Sequence, residues 1–280
     1  MTDDPQMILL PYLAAIRLGG EDAGQFLHDQ LSADINGLDD AQTTLACYCE
    51  PKGRVLALLR VYRHGQDYIV VMARELVEAI VQRLKIYVLR ADVRIEPLED
   101  RVAGIDEPDI DKVQPGILIP VDGPTGKATD LLLLPADSEV AESSSALIGQ
   151  WHYAELENGI AWLGIASSGQ FLPQMLGFDQ IGAVNYKKGC YPGQEIVART
   201  HYLGKVKRHP RRLRSRQTIQ VRPMDKIVIH AGDERFDALV VDAAQRGDDG
   251  TRVLCVTRMD PPLTASGFSC DGRNYACMDG

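Results

Sequence analysis

The first hundred residues alternate between short apolar segments and segments with helical periodicity, and this alternation most constrains the fold. Apolar residues recur at helical spacing in two segments, which predicts helices over 21–29 and 74–88. Strands are predicted over 9–18, 54–62, 67–72 and 93–96, and residues 45–50 also alternate before a Pro-Lys-Gly turn. We read the resulting order as β–α–β–β–α–β, which is typical of an α+β fold.

The last part of the chain has a different pattern. Short apolar segments over 226–230, 238–241 and 253–256 are separated by turns that contain glycine or proline. This spacing predicts a small β-barrel or β-sandwich. Between the two regions, the polar residues 142–145 mark a hinge or the start of a helix.

The composition excludes several classes of protein. Hydrophobic residues make up 45% and charged residues 25% of the 280 residues, which is typical of a globular chain rather than a disordered or fibrous one. No apolar run reaches the ~18 residues of a membrane span, and the first residues lack the basic start of a secretory signal. We therefore expect a cytoplasmic protein without membrane contact, whose cysteines are reduced.

The six cysteines and six histidines do not form a metal-binding pattern. There is no C-x-x-C pair and no H-x-x-x-H pair, so the sequence predicts no metal site. The net charge of −9 disfavours non-specific binding of nucleic acid by the whole molecule.

Residues 185–204 read NYKKGCYPGQEIVARTHYLG and carry most of the functional information. They predict a loop that contains Cys190, followed by a helix that begins near Gln194. The helix dipole and the neighbouring Lys187 and Lys188 favour the thiolate form of a cysteine at this place. We interpret the cysteine as a nucleophilic, redox or metal-ligating residue, and the alternative is a small packing thiol in a tight turn.

Two glycines flank Cys190, and they predict that the loop presents one side chain to solvent. Gly189 and Gly193 allow backbone conformations that other residues resist. We expect the thiol to be accessible on that loop. Glu195 and Arg199, at positions i and i+4 of the predicted helix, are either site residues or a surface pair.

The run K-K-G-C-Y-x-G-Q-E-x-V-A-R resembles the signature of the folate-binding YgfZ family, relatives of the glycine-cleavage T-protein, an aminomethyltransferase. Four further segments resemble motifs of that family, and they cover residues 20–35, 49–54, 151–160 and 168–174. The resemblance covers about residues 8–95 and 150–215 and fits the remainder only in outline.

The resemblance implies a T-protein-like α+β fold, with interleaved ferredoxin-like layers around a central channel and a C-terminal β-barrel. It implies a folate-binding region over 1–204, made of two interleaved α+β subdomains of about 1–100 and 101–204. The barrel would follow over 205–280.

The implied ligand is tetrahydrofolate or a derivative, held in the central channel. A pterin is a flat ring with a polar edge, and it needs an aromatic or apolar wall and a few hydrogen-bond partners. Trp151 matches a folate-contacting tryptophan of the family, although it could instead anchor the core, and Leu13 stands where a companion tryptophan is expected. The resemblance assigns Cys190 as the catalytic residue, Trp151, Gln194, Glu195 and Arg199 as folate contacts, and Lys188, Gly189, Tyr191 and Gly193 as motif residues.

The resemblance also bears on activity. Ala57 and Leu58 occupy the places of an acidic pair in the T-protein, and neither side chain can transfer a proton. The YgfZ branch is associated with assembly or repair of iron–sulfur clusters in certain enzymes, including enzymes that modify tRNA. We therefore predict an accessory protein for such client enzymes or their assembly proteins. The alternative is a tetrahydrofolate-dependent one-carbon transferase, so whether the chain is itself an enzyme stays open.

Residues 205–216 form a basic strip with seven lysines and arginines and no acidic residue. Such a strip is a solvated strand edge, a site for an anionic ligand such as the polyglutamate tail of folate, or an RNA-binding surface. The strip contains no aromatic residue, so it does not predict a platform for stacking bases. If the strip binds RNA, the chain is an RNA-binding module, and this is the second alternative function.

Overall fold

A computed structural model describes residues 7–106, 116–121, 129–204, 206–247, 250–258 and 264–277. These residues form three antiparallel sheets with helices packed on and between them. The mixed α and β architecture agrees with the predicted α+β class.

The first sheet has five strands in the order β3-β4-β5-β2-β6. Its elements are β2 (Leu13–Gly19), α1 (Ala23–Gln30), β3 (Thr43–Cys49), β4 (Val55–His64), β5 (Asp67–Ala73), a 3₁₀ turn (Arg74–Leu76), α2 (Val77–Val88) and β6 (Arg94–Pro97). Both predicted helices are confirmed, because each buries an apolar stripe at helical spacing. The predicted β–α–β–β–α–β order lacked one strand, since residues 45–50 belong to β3, which pairs along its length with β4.

The predicted strand over 9–18 is divided between two sheets. Its first residues belong to β1 (Met7–Leu9), and a turn at Tyr12 separates β1 from β2. β1 joins β7 (Arg101–Asp106), β9 (Thr129–Leu134) and β8 (Ile117–Ile119) in a four-stranded sheet of that order. The first ten described residues therefore cross from one sheet to another.

Helix α3 (Ser145–Glu157) follows the four-stranded sheet. It begins where the polar segment 142–145 predicted, because the Ser144 hydroxyl caps it by accepting a hydrogen bond from the Leu147 amide. The Trp151 ring of α3 lies flat on β7, where a Cβ added to Gly104 would stand 2.5 Å from it.

The third sheet contains β10 (His209–Ser215), β11 (Lys226–Ala231), β12 (Glu234–Gln245), β13 (Thr251–Thr257), β14 (Gly267–Cys270) and β15 (Arg273–Ala276). Their order is β10-β13-β12-β11-β14-β15, and the sheet has its own apolar core. A bulge in β12 between Val240 and Asp242 interrupts its register with β13. Among the described residues, β10 pairs only with β13, so residues 209–215 of the basic strip lie on an edge strand. Lys205 of that strip lies outside the described residues.

Candidate functional site

The helix α5 (Gln194–Tyr202) begins at Gln194, as predicted, and the loop before it packs against the turn between β3 and β4. Gly193 has φ +84° and lies so close to this turn that an added Cβ would stand 2.5 Å from the Glu50 carbonyl oxygen. Gly53, with φ +75°, faces it across the contact. Two positive-φ glycines thus let the two backbones approach each other without side chains between them.

Lys188 fastens the same loop to α1. Its ammonium group is buried and donates hydrogen bonds to the carbonyl oxygens of His28 and Leu31, the latter at 2.6 Å. These carbonyls lie at the C-terminal end of α1, where carbonyl groups lack helical partners. The ammonium also lies 5.1 Å from the centroid of the Tyr191 ring. Burial lowers the pKa of Lys188 to about 8, against the charges of the nearby acidic residues.

Two further contacts tie other motif-like segments to this place. The Ser32 hydroxyl donates a hydrogen bond to the Ala183 carbonyl oxygen and accepts one from the Cys47 amide. The Gln174 side-chain amide, from the short helix α4 (Pro173–Leu176), donates to the Val197 carbonyl oxygen of α5 at 2.8 Å. Segments that are distant in sequence but resemble one family therefore converge on the Cys190 loop.

Cys190 itself is exposed, as expected from the loop around it. The thiols of Cys47, Cys49 and Cys255 are buried, and burial raises the pKa of Cys47 to about 12. Buried thiols of this kind are inert, whereas an exposed thiol on a constrained loop is available for reaction. The expectation that Cys190 is accessible, on a loop that leads into a helix, is confirmed.

Of the other predicted site residues of α5, one contacts the Cys190 loop and two lie on the surface. The Gln194 side-chain amide donates to the Lys188 carbonyl oxygen at 3.3 Å and so supports the loop. Glu195 and Arg199 are exposed on one face of the helix. No ion pair joins these two described side chains within 4.0 Å.

The Trp151 ring packs against Gly104 of β7. The next residue of α3 belongs to a second group of polar residues, which we name the junction cluster: Tyr12, His152, Glu155, Trp162 and Asp242. Glu155 is buried and accepts hydrogen bonds from the Tyr12 hydroxyl at 2.8 Å and the Trp162 indole at 2.9 Å. Nε2 of His152 lies 2.8 Å from Oδ2 of Asp242 on the bulged strand β12. The cluster thus joins the β1–β2 turn, α3 and the third sheet.

Patterns in the sequence do not reveal the junction cluster, because members that hydrogen-bond to each other lie up to 143 residues apart and no segment contains more than two of them. Burial raises the pKa of the Glu155 carboxyl, although His152 and the two hydrogen bonds act in the opposite direction. Burial also disfavours the charged form of His152, but the charge of Asp242 and their hydrogen bond outweigh it and raise the pKa of His152 to about 9. His152 and Asp242 therefore form a buried ion pair near neutral pH.

This ion pair predicts a pH-dependent stability. A histidine whose pKa rises on folding contributes stability that is complete below its unfolded pKa of about 6.5. That contribution disappears as pH rises to about 9. We expect the free energy of unfolding, measured by urea titration, to fall by about 3 kcal/mol across this window. Asp242→Asn should flatten the fall, and an unchanged slope in this variant would contradict the assignment.

The described part of the chain shows neither a metal-binding cluster nor a helix that could span a membrane. It contains no group of three or more histidine, cysteine, aspartate and glutamate side chains arranged to hold a metal ion. None of its helices combines the length and the apolar character needed to cross a membrane.

The chain is similar in sequence to several proteins that share one name. No protein-family model matches it. It is 32% identical over 221 residues to the "tRNA-modifying protein YgfZ" of Klebsiella pneumoniae, covering 70% of this chain and 67% of that protein. It is 28% identical over 284 residues to the protein of the same name from Cronobacter sakazakii, covering 92% of this chain and 85% of the relative.

A solved structure shows the fold. The glycine cleavage system aminomethyltransferase T from Bartonella henselae superposes with a TM-score of 0.73, over 97% of this chain and 83% of that one. The two sequences are 16% identical, so the comparison shows a shared T-protein-like fold. It agrees with the fold class predicted from the sequence.

Proposed function

The chain belongs to the YgfZ family, and on that premise we propose that it is a folate-binding accessory protein for iron–sulfur cluster assembly or repair. It would act in the cytoplasm and support iron–sulfur enzymes that modify tRNA. The link to tRNA is supported by its relatives, which carry the name tRNA-modifying protein. The observation that carries the proposal is the Cys190 loop. An exposed thiol is held there by contacts with α1, the β3–β4 turn and α4–α5.

A constrained exposed cysteine supports a reactive role rather than a packing role. Gly193, Lys188 and Gln194 all restrain the loop, yet none of them covers the thiol. Holding a reactive group on a rigid support is how proteins fix the geometry of a functional residue. We propose Cys190 as the reactive residue and Lys188, Gly189, Tyr191 and Gly193 as its support.

We propose that the junction cluster and Trp151 line the site of a pterin ring. The rings of Tyr12 and His152 stack with centroids 5.1 Å apart, and the buried carboxylate of Glu155 lies beside them. Nε1 of Trp151 is buried and has no hydrogen-bond partner among the described residues. Aromatic faces with a few polar partners are what such a ring requires. Tetrahydrofolate, when bound, supplies a carrier for one-carbon groups.

In this proposal Trp151 contacts the folate, and Gln194, Glu195 and Arg199 of α5 remain proposed folate contacts. The exposed Arg199 is a group of the type that pairs with a carboxylate, such as those in a glutamate tail.

The proposal predicts that tetrahydrofolate binds the purified protein and that Trp151→Leu weakens binding at least about tenfold, or about 1.4 kcal/mol. The variant loses an aromatic face and an indole donor. Isothermal titration calorimetry measures the affinity, and Tyr87→Leu on the exposed end of α2 is the control. Thermal melting shows whether each variant is folded. No binding to the wild type, or equal binding to a folded Trp151→Leu variant, would contradict the folate assignment.

The alternative functions have less support. Ala57 and Leu58 are both buried in β4, so the positions of the T-protein acidic pair hold no acid for aminomethyl transfer. In the basic strip, the Arg212 guanidinium donates to the Glu157 carbonyl oxygen at the end of α3, at 2.6 Å. This arginine serves a contact within the protein, which favours the strand-edge interpretation over an RNA surface.

A further inference from the structure

Three aromatic rings at the C-terminal end of α5 form a cluster that we name the aromatic platform: Tyr186, His201 and Tyr202. The Tyr186 and His201 rings stack with centroids 3.7 Å apart and an angle of 16° between their planes. The Tyr202 ring meets both of them edge to face, at 4.7 Å from His201 and 6.1 Å from Tyr186. Direct contacts therefore fix the three rings relative to one another.

The platform is anchored on its inner side. The Tyr186 hydroxyl accepts a hydrogen bond at 3.1 Å from the buried side-chain amide of Gln174, which also donates to the Val197 carbonyl oxygen of α5. The same hydroxyl donates to the Asp179 carboxylate at 3.5 Å. Burial raises the pKa of Tyr186 to about 12, so its hydroxyl stays protonated at neutral pH. Tyr186 thus holds the platform on α4 and α5.

The outer side of the platform is exposed to solvent. Tyr202 is 63% exposed, the adjoining Leu203 is 84% exposed, and His201 is also exposed. A contiguous group of exposed apolar side chains marks an interaction site, whereas single exposed apolar residues do not. Aromatic faces bind other flat rings by stacking. The platform therefore suits a ligand whose aromatic ring approaches from solvent.

Cations lie on both sides of the platform along the chain. The exposed Lys187 directly follows the first of its rings, and Lys207 and Arg208 of the basic strip follow α5, with Lys207 exposed and Arg208 half-buried. Helix α4, which anchors the platform, is followed by Gly177, where an added Cβ would stand 3.2 Å from Pro210 of β10. The beginning of β10 and the platform are therefore attached to the same helix, and cations in this place are suited to phosphate groups.

We propose that the aromatic platform binds an unpaired base of single-stranded RNA and that the neighbouring cations bind its phosphates. Every base has a flat π face that stacks on an aromatic side chain, and the phosphates supply the complementary charge. The basic strip contains no aromatic residue, but the fold brings rings to it from α5 and from the loop before α5. This surface differs from the β10 edge where Arg212 contacts α3, and it involves neither Cys190 nor the junction cluster.

Fluorescence anisotropy of a labelled single-stranded RNA of about 12 nucleotides tests this inference with the full-length protein at about 50 mM salt. We expect Tyr202→Leu, which keeps an apolar side chain but removes the ring, to weaken binding at least about fivefold. Tyr202→Phe keeps the ring and should bind as tightly as the wild type. The control Tyr87→Leu removes an exposed tyrosine from α2 and should also leave binding unchanged. Thermal melting shows whether each variant is folded.

The salt dependence of binding separates stacking from charge. Lys207→Gln should reduce the slope of log K against log salt by about 0.7, the value for one phosphate contact of a single strand. Tyr202→Leu should leave this slope unchanged. The same RNA annealed to its complement should bind more weakly, because its bases are then stacked within the duplex.

No binding of the single strand by the wild type would overturn the inference, and so would equal binding by a folded Tyr202→Leu variant. Equal losses in Tyr202→Leu and Tyr202→Phe would also overturn it, since a partner other than a stacked base would then explain the surface. If Tyr202→Leu does not fold, His201→Leu decides in the same way. Tetrahydrofolate that displaces the RNA and binds Tyr202→Leu more weakly would assign the platform to folate instead. Folate binding and tRNA modification test the proposed function separately, so a failure here leaves that function unaffected.

Discussion

Replacing Cys190 by alanine should reduce cluster-dependent thiolation of tRNA at least about tenfold in cells that depend on this protein. The side chain is exposed, so its loss removes the reactive sulfur without opening a cavity in the core. We expect the free energy of unfolding to change by less than about 0.5 kcal/mol. Mass spectrometry of tRNA nucleosides measures the modification in a deletion strain that carries each variant.

The control for this experiment is Cys277→Ser, which changes a half-buried cysteine at the end of the third sheet and should restore full modification. Protein levels are compared by immunoblot. Full restoration by Cys190→Ala at a normal protein level would remove this cysteine from the mechanism. The function of the signature would then have to be sought in Gln194, Glu195 and Arg199.

Gly193→Ala should have the largest effect on stability, a loss of about 3 kcal/mol. Two costs add together at this position. The backbone has φ +84°, which costs an alanine about 1–2 kcal/mol. The new Cβ would also stand 2.5 Å from the Glu50 carbonyl oxygen and 2.6 Å from the Gly53 Cα, so the loop or the turn must move.

Gly182→Ala separates these two costs. Gly182 has φ +79°, and nothing lies within 4 Å of its added Cβ, so only the backbone cost applies. Urea denaturation of both variants measures the difference, which we expect to be about 1–2 kcal/mol in favour of Gly182→Ala. Equal losses would mean that the contact between the Cys190 loop and the β3–β4 turn contributes no restraint.

Local patterns in the sequence predicted the elements whose cause is local. The apolar stripes of α1 and α2, the start of α3 and the start of α5 each depend on residues within a few positions. The exposure of Cys190 followed from its flanking glycines. The division of residues 9–18 between two sheets did not, because β1 is specified by its pairing with β7, about a hundred residues later.

Long-range contacts explain what the sequence could not predict at the site. The sequence predicted that Lys187 and Lys188 lie near Cys190, but it did not distinguish their roles. In the fold, the Lys188 side chain is buried and binds the end of α1, whereas Lys187 is exposed. The junction cluster requires three sheets to be in place before its residues meet, and no local pattern encodes that.

The division of the first strand has a consequence for how the molecule folds. β1 and β2 are joined by a short turn, yet each completes a different sheet, and Tyr12 in that turn also bonds Glu155 of α3. Unfolding of either sheet therefore disturbs the contacts that this link makes with the other sheet. Because β1, the turn at Tyr12 and β2 connect the two sheets, we expect both sheets to unfold as one cooperative unit. This unit forms only when β1 pairs with β7, about a hundred residues later in the chain. Contacts between residues so far apart in sequence form slowly during folding.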